Sequence, residues 1–86
     1  MIKIIYHRKF YKSLKRIPIS VIEILQKKED IFKNNPFDER IRTHKLNGIY
    51  KERWSFSINY TYRVIFKFQT KQLVEFIDIG THEIYK

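Results

Sequence analysis

Apolar and polar residues alternate with period two along residues 54–59 and 61–68, the pattern of strands with one buried and one wet face. Trp54, Phe56 and Ile58, then Tyr62, Val64, Phe66 and Phe68, fall on the apolar side. Arg53, Ser55, Ser57, Arg63 and Lys67 fall on the polar side. A turn at Thr70 and Lys71 leads into a third run, residues 73–79, whose sidedness stays open. Either Val74 and Phe76 face the core, or Leu73, Ile77 and Ile79 do, so part of this strand is expected to be buried on both sides. It runs straight into Gly80, Thr81 and His82, which puts His82 on a turn just past the last strand.

Upstream, residues 2–6 read as a first strand, and the period then lengthens to that of a helix over residues 7–16. Phe10, Tyr11, Leu14 and Ile17 share one side of its wheel, with Arg8, Lys12, Lys15 and Arg16 on the other. Ser20 and Glu23 have the spacing of a capping box, and Ile19 with Ile24 that of a hydrophobic staple, at the start of a second helix. Val21, Leu25, Ile31 and Phe32 form its apolar stripe, and Asn34, Asn35 and Pro36 end it. The apolar sides of both helices need cover, and the apolar sheet face supplies it. The expected fold is α+β: an N-terminal strand, then a helical hairpin packed on one face of a twisted antiparallel sheet, in the order β-α-α-β-β-β. Residues 37–50 are expected to be an irregular segment carrying Arg40, Arg42, His44 and Lys45.

Length makes this one domain, residues 1–86, with a single modest core. Charge changes the picture more. Eighteen basic side chains against nine acidic ones give +9, which favours a polyanionic partner: nucleic acid first, an acidic protein second, an anionic membrane third. Without cysteine there is neither a disulfide framework nor a thiolate metal site, which suits a cytoplasmic setting. The first residues are too short an apolar run for a signal peptide, and no stretch is apolar enough to span a membrane. Two glycines are too few for a phosphate-cradling loop. No histidines lie at helical i, i+4 spacing beside a carboxylate cluster, so no metal is expected, nor any small-molecule cofactor.

Three elements in order carry a resemblance across almost the whole chain: the run from Thr43 through His44, Leu46 and Gly48; the strand Tyr62, Arg63, Val64, Ile65, Phe66; and Gly80, Thr81, His82 with Tyr85. Together they resemble the RelE/ParE superfamily of bacterial toxins from type II toxin–antitoxin pairs, most closely the RelE/YafQ-like messenger-RNA interferases. The resemblance implies a ribosome-dependent, metal-independent endoribonuclease whose partners are the ribosome, messenger RNA and a cognate acidic antitoxin. Carried over residue by residue, it implies a functional histidine at His44, a phosphate-binding arginine at Arg63, the principal acid/base at His82 and a terminal aromatic at Tyr85, with Lys51 and Arg53 contacting RNA. The chain departs from the family pattern at Ser57, Thr61 and Asp78, and in having only Glu83 and Ile84 between His82 and Tyr85.

The chemistry suits these residue types. Cutting RNA without a metal means activating the ribose 2′-hydroxyl, neutralising the phosphorane and protonating the departing 5′-oxygen. Histidine titrates near neutrality, and arginine binds two phosphate oxygens while staying charged. Each residue also has a plain structural reading. His82 is then a solvated turn histidine, His44 a loop cap, Arg63 a cross-strand partner of Glu75 or Asp78, and Lys51 and Arg53 ordinary surface charges. His7 reads as structural or exposed, and Trp54 as core. Two rival functions stay open: a ParE-like DNA gyrase inhibitor, and a non-catalytic basic RNA-binding module.

Overall fold

The computed structural model describes residues 1–48 and 52–85, except for the side chains of His82 and Tyr85. Strand β1 (Lys3–Tyr6) leads into helices α1 (Arg8–Leu14) and α2 (Ile19–Asn34). Strands β2 (His44–Lys45), β3 (Trp54–Ser57), β4 (Tyr62–Phe68) and β5 (Leu73–Thr81) follow, with short 3₁₀ turns at Glu39–Ile41 and His82–Tyr85. The sheet runs in the order β1-β5-β4-β3-β2. The α+β architecture is the one the hydrophobic pattern predicts, with two additions. β1 lies parallel to β5, so the sheet is mixed. His44 and Lys45 pair antiparallel with Ser55 and Trp54, so the segment expected to be irregular contributes a short edge strand.

Phe32 of α2 is fully buried and meets the rings of Phe56, Phe66 and Phe76 at 5.1, 4.9 and 5.5 Å. It is the point where the hairpin's apolar stripe and the sheet's apolar face lock together. Both phases of β5 are partly right. The register between β4 and β5 shifts between Ile65 and Phe66. A bulge of this kind moves the alternation by one residue, so Val74, Phe76 and Ile79 all join the core. The hairpin turn lies where expected: the Thr70 hydroxyl accepts from the backbone N–H groups of Gln72 and Leu73.

Four local expectations are corrected. Helix α2 starts at Ile19 behind Pro18 and has no side-chain cap hydrogen bond, so Ser20 and Glu23 form no capping box. Ile19 is 75% exposed and staples nothing. The Pro18 carbonyl accepts from Val21 and Ile22 N–H groups instead, and proline's fixed φ suits a helix start. On α1, Tyr11 is exposed while Phe10 is buried, because a helix of two turns buries only a narrow stripe. On the polar side of the sheet, Ser55 is fully buried: it sits between β2 and β4, paired with His44 and Ile65.

Two polar links hold α1 and β1 in place. The buried Asp78 carboxylate on β5 accepts from the Ser13 hydroxyl and the Ile79 N–H, and pairs with Lys9 at 3.5 Å. The Tyr6 hydroxyl donates to Glu29 of α2 at 3.0 Å. His7 caps α1, its Nδ1 accepting from the Lys9 N–H at 3.0 Å, so its structural reading holds.

Candidate functional site

Across β3, β4 and β5 the register aligns Ser57, Arg63 and Gly80. Two residues further along the same face it aligns Ser55, Ile65 and Asp78, with His44 beyond Ser55 on β2. Sheet spacing therefore sets the His44 and Arg63 backbones on the order of 12 Å apart on one face. Both residues line a cleft of about 510 Å³, together with Lys28, Arg40, Arg42, Ser57, Asn59 and Tyr60. Four of these residues are lysine or arginine, and no carboxylate lines the cleft among the described residues. Charge of one sign in a concave surface focuses the field on an anion.

Arg63 is half-buried, and one terminal nitrogen reaches the Ser57 hydroxyl at 3.4 Å. Its Nε is buried with no hydrogen-bond partner among the described residues. A buried guanidinium N–H normally has a partner, so Arg63 is a residue whose hydrogen bonding the described residues leave incomplete. The cross-strand ion pair is absent among the described residues: Asp78 is taken by Ser13 and Lys9, and Glu75 accepts from Gln69.

His44 is exposed, and its Nδ1 lies 3.3 Å from the Arg42 carbonyl oxygen. A carbonyl can only accept, so Nδ1 carries the proton in that contact, and in the neutral ring Nε2 keeps its lone pair. Arg42 itself has φ 51°, a left-handed conformation that costs energy in a non-glycine residue. The 3₁₀ turn before it sets up this geometry. The Asp38 side chain accepts from the Arg40 N–H at 2.9 Å and from Arg40 Nε and a terminal nitrogen, each at 3.0 Å. Those hydrogen bonds from Arg40 hold the Asp38 carboxyl well down, at about 2. Much of Arg40's charge is thus spent on the turn, and Lys28 Nζ also reaches the Arg40 carbonyl at 3.5 Å.

The other expected site residues are placed less fully. Thr81 pairs with Tyr62, so the backbone of His82 begins beside the start of β4, two residues beyond Gly80. The side chains of His82 and Tyr85, and the whole of Lys51, lie outside the described residues. Arg53 is half-buried, its carbonyl accepts from Leu46 N–H, and it does not line the cleft. Among the described residues no group of three potential ligands could hold a metal ion, and no helix is long and apolar enough to cross a membrane. Sequence reading alone missed Lys28, Asn59 and Tyr60. The charges of Arg40 and Arg42 were visible, but Lys28 joins them only through the packing of α2.

Among solved structures, YafQ from E. coli strain BL21(DE3) superposes with a TM-score of 0.80 at 21% identity, over 99% of this chain and 98% of that one. A YoeB/ParE toxin from Agrobacterium tumefaciens gives 0.76 at 19% identity, over 94% and 99%. RelE in the archaeal RelE–RelB complex from Pyrococcus horikoshii OT3 gives 0.71 at 18% identity, over 93% of each chain. At such identities these likenesses speak to fold. No curated protein matches the chain significantly. Residues 3–80 match the HigB-like toxin family, described as the RelE-like toxin of the type II toxin–antitoxin system HigB. With that match over nearly its full length, the chain belongs to the HigB-like branch of the RelE-like toxins of type II toxin–antitoxin systems.

Proposed function

We propose that this toxin is a metal-independent endoribonuclease that cuts messenger RNA on the ribosome. The observation that carries the reading is the cationic cleft, with no acid among the described residues, that has Arg63, whose Nε lacks a partner among them, in its wall and His44 at its edge. In the proposed reaction, His44 Nε2 takes the proton of a ribose 2′-hydroxyl. The 2′-oxygen attacks phosphorus, the bond from phosphorus to the 5′-oxygen breaks, and that oxygen takes a proton from His82. The products are a 2′,3′-cyclic phosphate and a free 5′-hydroxyl. Arg63 neutralises the phosphorane, where one well-placed donor is worth about 10²–10³ in rate. Tyr85 is the site's terminal aromatic, and Lys51 and Arg53 contact the RNA.

The same charge supports a cognate acidic antitoxin as partner in the cytoplasm. Structures of the DinJ–YafQ and RelE–RelB complexes exist for proteins of similar fold. A disordered acidic chain gains both electrostatic attraction and apolar burial as it orders on such a surface. Expression of the toxin alone is expected to arrest growth, with transcripts cut only while they are being translated. Intact transcripts under normal translation would sink the nuclease reading, and arrest with gyrase-linked DNA damage would establish the gyrase alternative instead.

A further inference from the structure

We propose that Tyr60 is a base-stacking platform at the mouth of the cleft, which makes its ligand an unpaired stretch of RNA. One base lies on the Tyr60 ring while a neighbouring phosphate is held by Arg63. The inference rests on the nuclease reading, and names how that site selects its substrate. Tyr60 is 96% exposed, and no other aromatic ring packs on it among the described residues. A lone exposed tyrosine is ordinary on a protein surface. This one lines the same cleft wall as Arg63 and Ser57, on the loop that the Ser57–Arg63 pair closes.

The backbone that carries the ring is held in place. The Asn59 side chain accepts from the N–H groups of Thr61 at 2.9 Å and Tyr62 at 2.7 Å. The Ile58 N–H donates to the Tyr62 carbonyl at 2.9 Å, and the Ile58 side chain is buried in the core. With the backbone fixed, only the two torsions of the tyrosine side chain are lost when a base covers it. Every base offers a π-face, so such a platform tolerates sequence and demands only that the base be unstacked from its neighbours. A paired strand cannot offer that face.

Two measurements test this. The first titrates a 2′-O-methylated, non-cleavable RNA hexanucleotide into the Tyr60→Trp variant and follows indole fluorescence. Single-stranded RNA is expected to quench it beyond the change seen in wild type, whose own Trp54 is the baseline, and the same oligonucleotide annealed to its complement is not. The second is single-turnover cleavage on programmed ribosomes. Tyr60→Ala is expected to raise the half-saturating concentration by roughly 5- to 150-fold, well beyond its effect on the limiting rate, and Tyr60→Phe to restore tight binding. Tyr11→Ala, at an exposed tyrosine away from the cleft, is the control. No added quenching in the Tyr60→Trp variant, together with unchanged binding by Tyr60→Ala, overturns the platform while leaving the nuclease reading standing. A Tyr60→Phe variant as weak as Tyr60→Ala also overturns it, because the hydroxyl would then be the contact. If the wild-type protein cuts nothing on ribosomes, the nuclease reading falls by itself, and the fluorescence titration still decides the platform.

Discussion

At the scale of single residues, Arg63 and His44 matter for what they lack. One has a buried donor without a partner among the described residues, and the other has its Nδ1 occupied by the Arg42 carbonyl. Arg63→Ala is expected to lower single-turnover cleavage by about 10²–10³, and Arg63→Lys to recover little of it, since a point charge cannot supply the buried Nε donor. His44→Ala is expected to cost about 10²–10⁴. Circular dichroism should show all three variants folded. His7→Ala reverses the pattern. It removes the cap on α1, costs about 0.5–2 kcal/mol of stability in a denaturant titration, and should leave cleavage untouched. Near-wild-type cleavage by the Arg63 and His44 variants would remove them from the mechanism.

At the scale of elements, the C-terminal turn packs closely on Gly80, and the 3₁₀ turn before His44 is bound through Asp38. A Cβ at Gly80 would come within 2.5 Å of Ile84 Cγ2, so Gly80→Ala forces Ile84 to shift and is expected to disturb the His82–Tyr85 turn that carries it. Overpacking of this kind costs about 1–3 kcal/mol. Cleavage is expected to drop with it, and Gly80→Ala combined with Ile84→Ala should regain part of the loss; no rescue would mean the turn is not what was displaced. The turn at Glu39–Ile41 depends on Asp38. Its carboxyl titrates lower in the folded chain than in the unfolded one. The stabilisation is therefore complete above the ordinary carboxylate range and is lost as pH falls from about 4 through about 2. Amide signals of residues 39–42 should broaden across that window before those of the sheet. Simultaneous loss would show that the turn has no local stability of its own.

At the scale of the molecule, the excess of nine positive charges and a cleft with four cations and no acid among the described residues make affinity for RNA a function of salt. Each phosphate neutralised on a single strand contributes a slope of about −0.7 in log affinity against log salt. With Arg40 spent on Asp38, the three remaining cations predict a slope of about −2, and Arg42→Gln should reduce it by about 0.7. Fluorescence titrations of the non-cleavable hexanucleotide at several salt concentrations check this. A slope near zero would mean that the cleft is not where the phosphates lie. At the alkaline end, burial first and the neighbouring Glu29 carboxylate second raise the Tyr6 phenol above its ordinary value. The neutral phenol thus favours the folded state fully below about pH 10, and that contribution fades as pH rises further. Tyr6→Phe should flatten the alkaline limb of a stability profile.

Periodicity along the chain was enough to place β3, β4, both helices and the face on which they meet, because burying one side of each element is a local pattern with a fixed repeat. The resemblance motifs put His44 and Arg63 among the site residues, and composition pointed to an anionic partner. Three things depended on the tertiary structure. The phase of β5 followed from a bulge against β4, which no alternation within β5 alone can reveal. The start of α2 followed from competition between Pro18 and Ser20, decided by a backbone carbonyl rather than a side chain. The cleft itself gathers Lys28 from α2, Arg42 from a left-handed turn and Tyr60 from a hairpin loop. Those side chains are remote in sequence, and only the packing of helix against sheet and the pairing of β2 with β3 bring their charges and ring to one surface.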